Sequence, residues 1–217
     1  VEVERFLREL PGLFDDFPGS ELPRDGRFAE ILEAVPGLGR ANNLALLNLA
    51  ARCLEPGECY VEVGTYRGTS LIAAMLGNEE HDFVALDNWS LGDGSREQLD
   101  ANLGRYGLDG KPSLIEGDAH ETLRSGALAG RRVGVYYYDD GHEFEQQLDG
   151  LRLIEPYLAS PALVLVDDSD WERVAAAIAA YLDEAPRAEQ VLGLEGVDHG
   201  RAWWWEGITA IAWDRNR

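Results

Sequence analysis

The spacing of apolar residues along the chain changes at Pro56-Gly57. Before it, apolar positions recur at helical intervals. Phe28, Ile31, Leu32 and Val35 share one face, and Leu44, Leu46, Leu47, Leu49 and Ala50 form a second apolar cluster. That period predicts amphipathic helices, cut by turns at Pro11-Gly12, Pro18-Gly19 and Pro36-Gly37. Residues 1–55 read as an N-terminal helical cap leaning on a main domain of residues 56–217. After Pro56-Gly57, short strand-type runs alternate with helix-compatible stretches. Strands are predicted at 59–63, 82–87, 113–117, 133–138 and 162–166, with helices near 69–76, 95–106, 119–123, 143–157 and 171–182. Two further strands are predicted at 190–194 and 208–213.

Strands that alternate with helices of roughly 10–15 residues imply an α/β fold with a mainly parallel sheet and helices on both faces. Ligands of such sheets bind beyond the carboxyl ends of the strands. Those ends carry Glu62, Asp87, Asp118, Asp139 and Asp167-Asp168, so six carboxylates converge on one edge. Composition changes this picture only at its margins. A chain of 217 residues with 45% apolar content is long enough for one α/β domain with an appendage. The formal net charge of -21 disfavours nucleic acid and anionic membranes as partners and tolerates a cationic ligand. Two cysteines, Cys53 and Cys59, give neither a disulfide framework nor metal-ligand spacing, which fits a reducing cytoplasm. No secretory signal or long apolar span is visible, so a cytoplasmic location is expected.

The chemistry concentrates first in Glu62-x-Gly64-x-x-x-Gly68, which joins the first strand to the helix opening at Thr69-Ser70. Two glycines remove side chains where the backbone must turn and approach a ligand. The three-glycine dinucleotide fingerprint is absent, which weakens a nicotinamide reading. Asp87 ends the second strand 25 positions after Glu62, and Asn88-Trp89 follow. A carboxylate there can take ribose hydroxyls, or it can simply cap a helix. Glu116-Gly117-Asp118-Ala119 ends the third strand, Tyr138-Asp139-Asp140-Gly141-His142 the fourth, and Asp167-Asp168 the fifth, 28 residues after Asp139.

Taken together, residues 56–213 resemble a class I S-adenosylmethionine-dependent methyltransferase, which has a Rossmann-like seven-stranded sheet. Among these, the chain is most similar to bacterial small-molecule O-methyltransferases of the catechol and macrolide-sugar types. The resemblance implies that S-adenosylmethionine is the cofactor. Glu62, Gly64, Thr65, Tyr66, Gly68, Thr69 and Ser70 would serve its methionine end. Asp87, Asn88 and Trp89 would serve the ribose, with Trp89 either stacking on adenine or packing. Gly117, Asp118 and Ala119 would serve adenine, and Asp139 the ammonium. In the metal-dependent members, the positions of Asp139, Asp167 and Asp168 hold one magnesium ion, and three clustered carboxylates suit a hard divalent cation.

The sequence departs from those relatives where the base is expected. The position two after Asp139 is Gly141, and the position three after is His142. Histidine can take a hydroxyl proton near neutral pH, so His142 is the expected general base, with Asp140 in reserve. The last cluster, His199-Gly200-Arg201-Ala202-Trp203-Trp204-Trp205-Glu206-Gly207, could wall an acceptor pocket. Three consecutive tryptophans cannot share one face of a strand, so one is expected to be exposed, a candidate dimer contact. The expected partner is a small hydroxylated acceptor, and a homodimer is the assembly that such enzymes suggest. A metal-independent methyltransferase of the same fold, or a non-catalytic cofactor-binding protein, stays open.

Overall fold

The computed structural model describes residues 1–196 and 203–217. Helices α1 (Val3–Glu9), α2 (Arg27–Ala34) and α3 (Ala41–Arg52) precede β1 (Cys59–Val63) and α4 (Thr69–Met75). Then come β2 (Asp82–Asp87), α5 (Arg96–Arg105), β3 (Ser113–Glu116), α6 (Ala119–Arg124), β4 (Val133–Tyr138) and α7 (Phe144–Ile154). The chain ends with β5 (Leu158–Asp167), α8 (Glu172–Glu184), β6 (Ala188–Leu194) and β7 (Ile208–Trp213).

One seven-stranded sheet has the order β3-β2-β1-β4-β5-β7-β6. The first five strands are parallel. The sheet is nonetheless mixed, because β7 runs antiparallel to both β5 and β6. The expected mainly parallel sheet therefore carries one reversed strand, β7, seated between β5 and β6.

Strand residues alternate between two apolar layers, as a period of two requires. Tyr60, Val135, Tyr137, Leu163 and Leu165 pack on one face with residues of α1–α5. Val61, Val63, Tyr136, Tyr138, Val164 and Val166 pack on the other with residues of α6, α7 and α8. Burial on both faces explains why the strands read as near-continuous apolar runs. The strand order reverses at β1 and β4, where neighbouring connections leave to opposite sides and open a crevice.

Helix α3 lies deep in the molecule. Its residues Ala41 to Ala51 are all buried. Asn48 ties it to α4, donating to the carbonyls of Ala73 at 2.8 Å and Leu76 at 2.9 Å. The strand ends differ modestly from expectation: β5 begins at Leu158 and β6 at Ala188, because backbone pairing extends past the apolar run that the sequence displays. Among the described residues, no helix is long and apolar enough to cross a membrane.

Candidate active site

A cavity of about 400 Å³ opens at the carboxyl ends of β1, β2, β4 and β5. Its volume falls in the range of small-ligand sites, roughly 300–1,000 Å³. The turn after β1 forms part of its wall through Gly64, Thr65, Tyr66, Thr69 and Ser70. Gly64 has φ 86°, and a Cβ there would lie 1.8 Å from the carbonyl oxygen of Asp139. The glycine therefore serves first to let the ends of β1 and β4 meet. Gly68 has φ 88° and backs onto Leu99 of α5, 2.4 Å from where its Cβ would stand, and it does not line the cavity.

Glu62 is fully buried behind the turn. Its two carboxyl oxygens accept from the Ser70 hydroxyl at 2.9 Å and the Tyr60 hydroxyl at 3.1 Å. Burial pushes this carboxyl up to about 8, against the pull of those hydrogen bonds. Asp87 binds the same turn to the loop after β2. It accepts from the Tyr66 and Trp89 backbone N–H groups, each at 2.5 Å. The Trp89 indole N–H donates to the Tyr66 carbonyl at 3.0 Å, so this ring is anchored beside the cavity. Asp118 caps α6, accepting from the Glu121 N–H at 2.8 Å. Gly117, Asp118 and Ala119 do not belong to the cavity wall, whereas Asp87, Asn88 and Trp89 do.

The ends of β4 and β5 hold a close cluster of titratable side chains. Ligand atoms of Asp139, His142 and Asp168 lie within 4.8 Å of one another. His142 Nε2 is 2.7 Å from Asp168 Oδ2 and 3.9 Å from Asp139 Oδ1. That 2.7 Å contact is an ion pair when the imidazole is protonated, and Asp168 Oδ1 is buried without a partner. Asp167 is turned to other company. It accepts from the Tyr137 hydroxyl at 2.6 Å and from the Asn43 side-chain amide of α3 at 3.4 Å. Thus the structure brings Asp139, Asp168 and His142 together and sets Asp167 just behind them.

Electrostatics follow from that crowding. Burial, then Asp167 and Asp168, drives the Asp139 carboxyl well above the usual carboxylate range. Burial and Asp168 push Asp167 up to about 7, with Tyr137 opposing. Contact with Asp168 raises His142, against burial. Strain gathers here as well. The non-glycine residues with positive φ among the described residues are Tyr66 (50°), Trp89 (49°), Asp168 (51°) and Trp205 (55°). All four line the cavity, and such conformations persist where the surroundings enforce them.

The tryptophan run divides differently from the expectation of one exposed ring. Trp204 is buried, donates to the Pro18 carbonyl at 3.0 Å and meets Phe14 and Phe17 edge-on. Trp203 is partly buried against the core, and Trp205 lines the cavity beneath Arg40. None of the three is exposed, because the segment is a turn pinned by β7 and the N-terminal region rather than a strand edge. His199, Gly200, Arg201 and Ala202 lie outside the described residues. Tyr137 and Trp171 are cavity residues that the motifs did not single out, whereas Asn43, with Asn42 and Arg40, is one of the places where the sequence pointed to an acceptor pocket. Tyr137 was legible in principle, since alternation places it on the side of Asp139. For Asn43 the partner was not legible, because helix periodicity does not say which strand end a helix residue meets.

A family profile described as a methyltransferase domain matches residues 61–169. No curated protein matches the chain in sequence. Among solved structures, the fold is similar to an O-methyltransferase from Bacillus cereus in complex with SAH, with TM-score 0.63, 12% identity and coverage of 95% of this chain and 96% of that one. It is similar to the O-methyltransferase TomG from Streptomyces achromogenes, involved in tomaymycin synthesis and solved with SAM. That match has TM-score 0.67, 15% identity and 98% coverage of both chains. It is also similar to CalS11, a TDP-rhamnose 3'-O-methyltransferase of calicheamicin biosynthesis, with TM-score 0.58, 21% identity and coverage of 100% and 95%.

Proposed function

This chain belongs to the methyltransferase-domain family, and we propose that its cavity is where a small hydroxylated molecule receives a methyl group from S-adenosylmethionine. The observation that carries this reading is the imidazole of His142 set against Asp168 at the mouth of a carboxylate-walled cavity. The cofactor supplies an electrophilic methyl carbon on a cationic sulfur, and a wall bearing Asp87, Asp139 and Asp140 suits that charge. The Thr65 hydroxyl, buried without a partner, fits a polar ligand on the turn after β1. Gly64, Thr65, Tyr66, Thr69 and Ser70 would hold the methionine end, with Glu62 and Gly68 supporting the turn from behind. Asp87, Asn88 and Trp89 would hold the ribose. The part given to Gly117, Asp118 and Ala119 rests on the resemblance alone, since they stand off the cavity wall.

A divalent cation such as magnesium would be held by Asp139, Asp167 and Asp168, where it would lower the pKa of a bound hydroxyl. The orphaned Asp168 Oδ1 and the raised carboxyls fit such an ion. His142 does the proton work. The imidazole would take the hydroxyl proton, and Asp168 would stabilise the imidazolium that forms. The acceptor oxygen would then bond the methyl carbon as the carbon–sulfur bond breaks and the sulfur leaves as a neutral thioether, with the cavity wall holding the reacting atoms in line. Labelled methyl transfer to a panel of catechols, with and without EDTA, tests the reading. Transfer that stops with EDTA and returns with magnesium is expected. The absence of S-adenosylmethionine binding by calorimetry would overturn the reading as a whole.

The 2.7 Å contact of His142 with Asp168 also favours a second reading, in which this pair alone activates the hydroxyl. Turnover would then survive chelation and be lost in His142→Gln.

A further inference from the structure

Three consecutive tyrosines, Tyr136, Tyr137 and Tyr138, end β4, and the period of two sends their rings to different faces. Tyr136 and Tyr138 pack in the layer of α6, α7 and α8. Their hydroxyls donate to α7 carbonyls, those of Gly150 at 3.4 Å and Gln146 at 3.3 Å. Tyr137 alone of the three lies on the opposite face. The register pairs Tyr137 with Leu165, so Asp139 and Asp167, each two residues further along, fall to that same side. The Tyr137 hydroxyl reaches both carboxyls, at 2.6 Å from Asp167 Oδ2 and 3.4 Å from Asp139 Oδ2.

A hydroxyl has one hydrogen to give. The shorter distance assigns it to Asp167, and the Asn43 side-chain amide of α3 donates to the other Asp167 oxygen at 3.4 Å. Both oxygens of this carboxyl are therefore held from the protein side. Asp167 is 3% exposed, so solvent offers little in exchange for either donor. A carboxylate has about four lone-pair sites, and two donors leave the others for a cation. Asp168 Oδ1, buried without a partner in the same cavity wall, is a further acceptor that a cation would use. Packing by itself does not call for the Tyr137 hydroxyl, because phenylalanine would fill the same apolar layer with the same ring.

We propose that Tyr137 and Asn43 are positioning residues for a divalent cation: together they fix the orientation of the Asp167 carboxylate and so set how tightly the ion is held. The proposal rests on the cation reading above and adds to it two residues that act through Asp167. A free carboxylate turns about its last bond, and an ion must stop that rotation on binding. Tyr137 and Asn43 stop it beforehand, so less freedom is lost when the ion arrives. Hydrogen bonds to a ligand from outside the metal's own shell contribute roughly 10–100-fold to affinity.

Binding of Mn2+ to the full chain, followed by the electron paramagnetic resonance signal of the free ion, tests this without any turnover. Tyr137→Phe is expected to weaken Mn2+ binding roughly 10–100-fold, and Asn43→Ala should act in the same direction. A double-mutant cycle separates positioning from general support. In an Asp167→Ala background, Tyr137→Phe should change Mn2+ affinity by less than about threefold, because the group it orients is gone. A merely structural role would weaken binding equally in both backgrounds, and that result overturns the proposal. If Tyr137→Phe does not fold, the same cycle with Asn43→Ala is read in the same way. Unchanged affinity in Tyr137→Phe, with normal binding by the wild type, sinks the positioning role and leaves the cation reading standing. A wild-type protein that binds no Mn2+ overturns both. S-adenosylmethionine binding and chelator-resistant methyl transfer by that same protein would leave the methyltransferase reading intact.

Discussion

The close contact of His142 Nε2 with Asp168 Oδ2 changes what the imidazole can do. Because contact with Asp168 raises His142 from its ordinary 6.5, the imidazole is charged over part of the neutral range, and a charged imidazole accepts no proton. Turnover should therefore rise with pH through a value above 6.5. Asp168→Asn should bring that limb back down, and a limb that stays put in this variant would show that the contact has no part in the chemistry. His142→Gln should lower kcat by roughly 10²–10⁴-fold, the usual share of a general base. Gly64 makes a second prediction at this scale. Its φ of 86° and the Asp139 carbonyl 1.8 Å from a would-be Cβ leave no room for alanine. Gly64→Ala should cost at least about 2 kcal/mol in chemical denaturation and weaken cofactor binding, since the ends of β1 and β4 must part. Both glycines were legible as special from their place in the motif. That Gly64 answers to a protein carbonyl was not, because the partner lies 75 residues further along the chain.

At the scale of elements, α3 decides the most. The apolar pattern of residues 44–50 announced a helix, and the structure seats it inside the sheet's covering layer against α4. Asn42, Asn43 and Asn48 are buried with it, and Asn48 ties α3 to its neighbours while Asn43 lines the cavity. Asn48→Ala removes the hydrogen bonds to the Ala73 and Leu76 carbonyls and the one accepted from Arg27, and should destabilise the protein by roughly 1–3 kcal/mol in urea unfolding. A fragment of residues 56–217 would expose the face that α3 covers. It is expected to be insoluble or molten, and a cooperative melt from that fragment would support an independent domain with a detachable cap. Strands were easier to read than their contacts. β1, β2 and β4 match their apolar runs residue for residue. β5 starts earlier than its run, because hydrogen bonding to neighbours sets where a strand begins.

For the whole molecule, acidity sets the response to solvent. A net charge of -21 means that folding brings like charges together, so added salt should raise stability by screening them. The buried carboxyls act in the same sense with pH. Glu62, held at about 8, keeps a proton in the folded state that the unfolded chain releases near 4.5. Its contribution to stability is complete below about 4.5 and is lost as pH rises through 8. Stability should fall by roughly a few kcal/mol between pH 5 and 8. Glu62→Gln, which cannot ionise, should flatten much of that slope. An unchanged slope would show that Glu62 is not its source.

Local pattern was enough to determine a good deal of this protein. Alternating apolar runs and helices dictated an α/β sheet, and strand ends marked by Glu62, Asp87, Asp139 and Asp167 dictated the edge where a site would form. These features depend on period and on residue type, which a chain carries in its order. Tertiary structure alone decided which of those groups meet. It turned Asp167 toward Tyr137 and Asn43, set His142 against Asp168, and gathered Leu38, Leu91 and Trp171 at one mouth. Such meetings depend on how α3 and three loops pack across the sheet, and that packing arises between residues far apart in sequence, where no local period reaches.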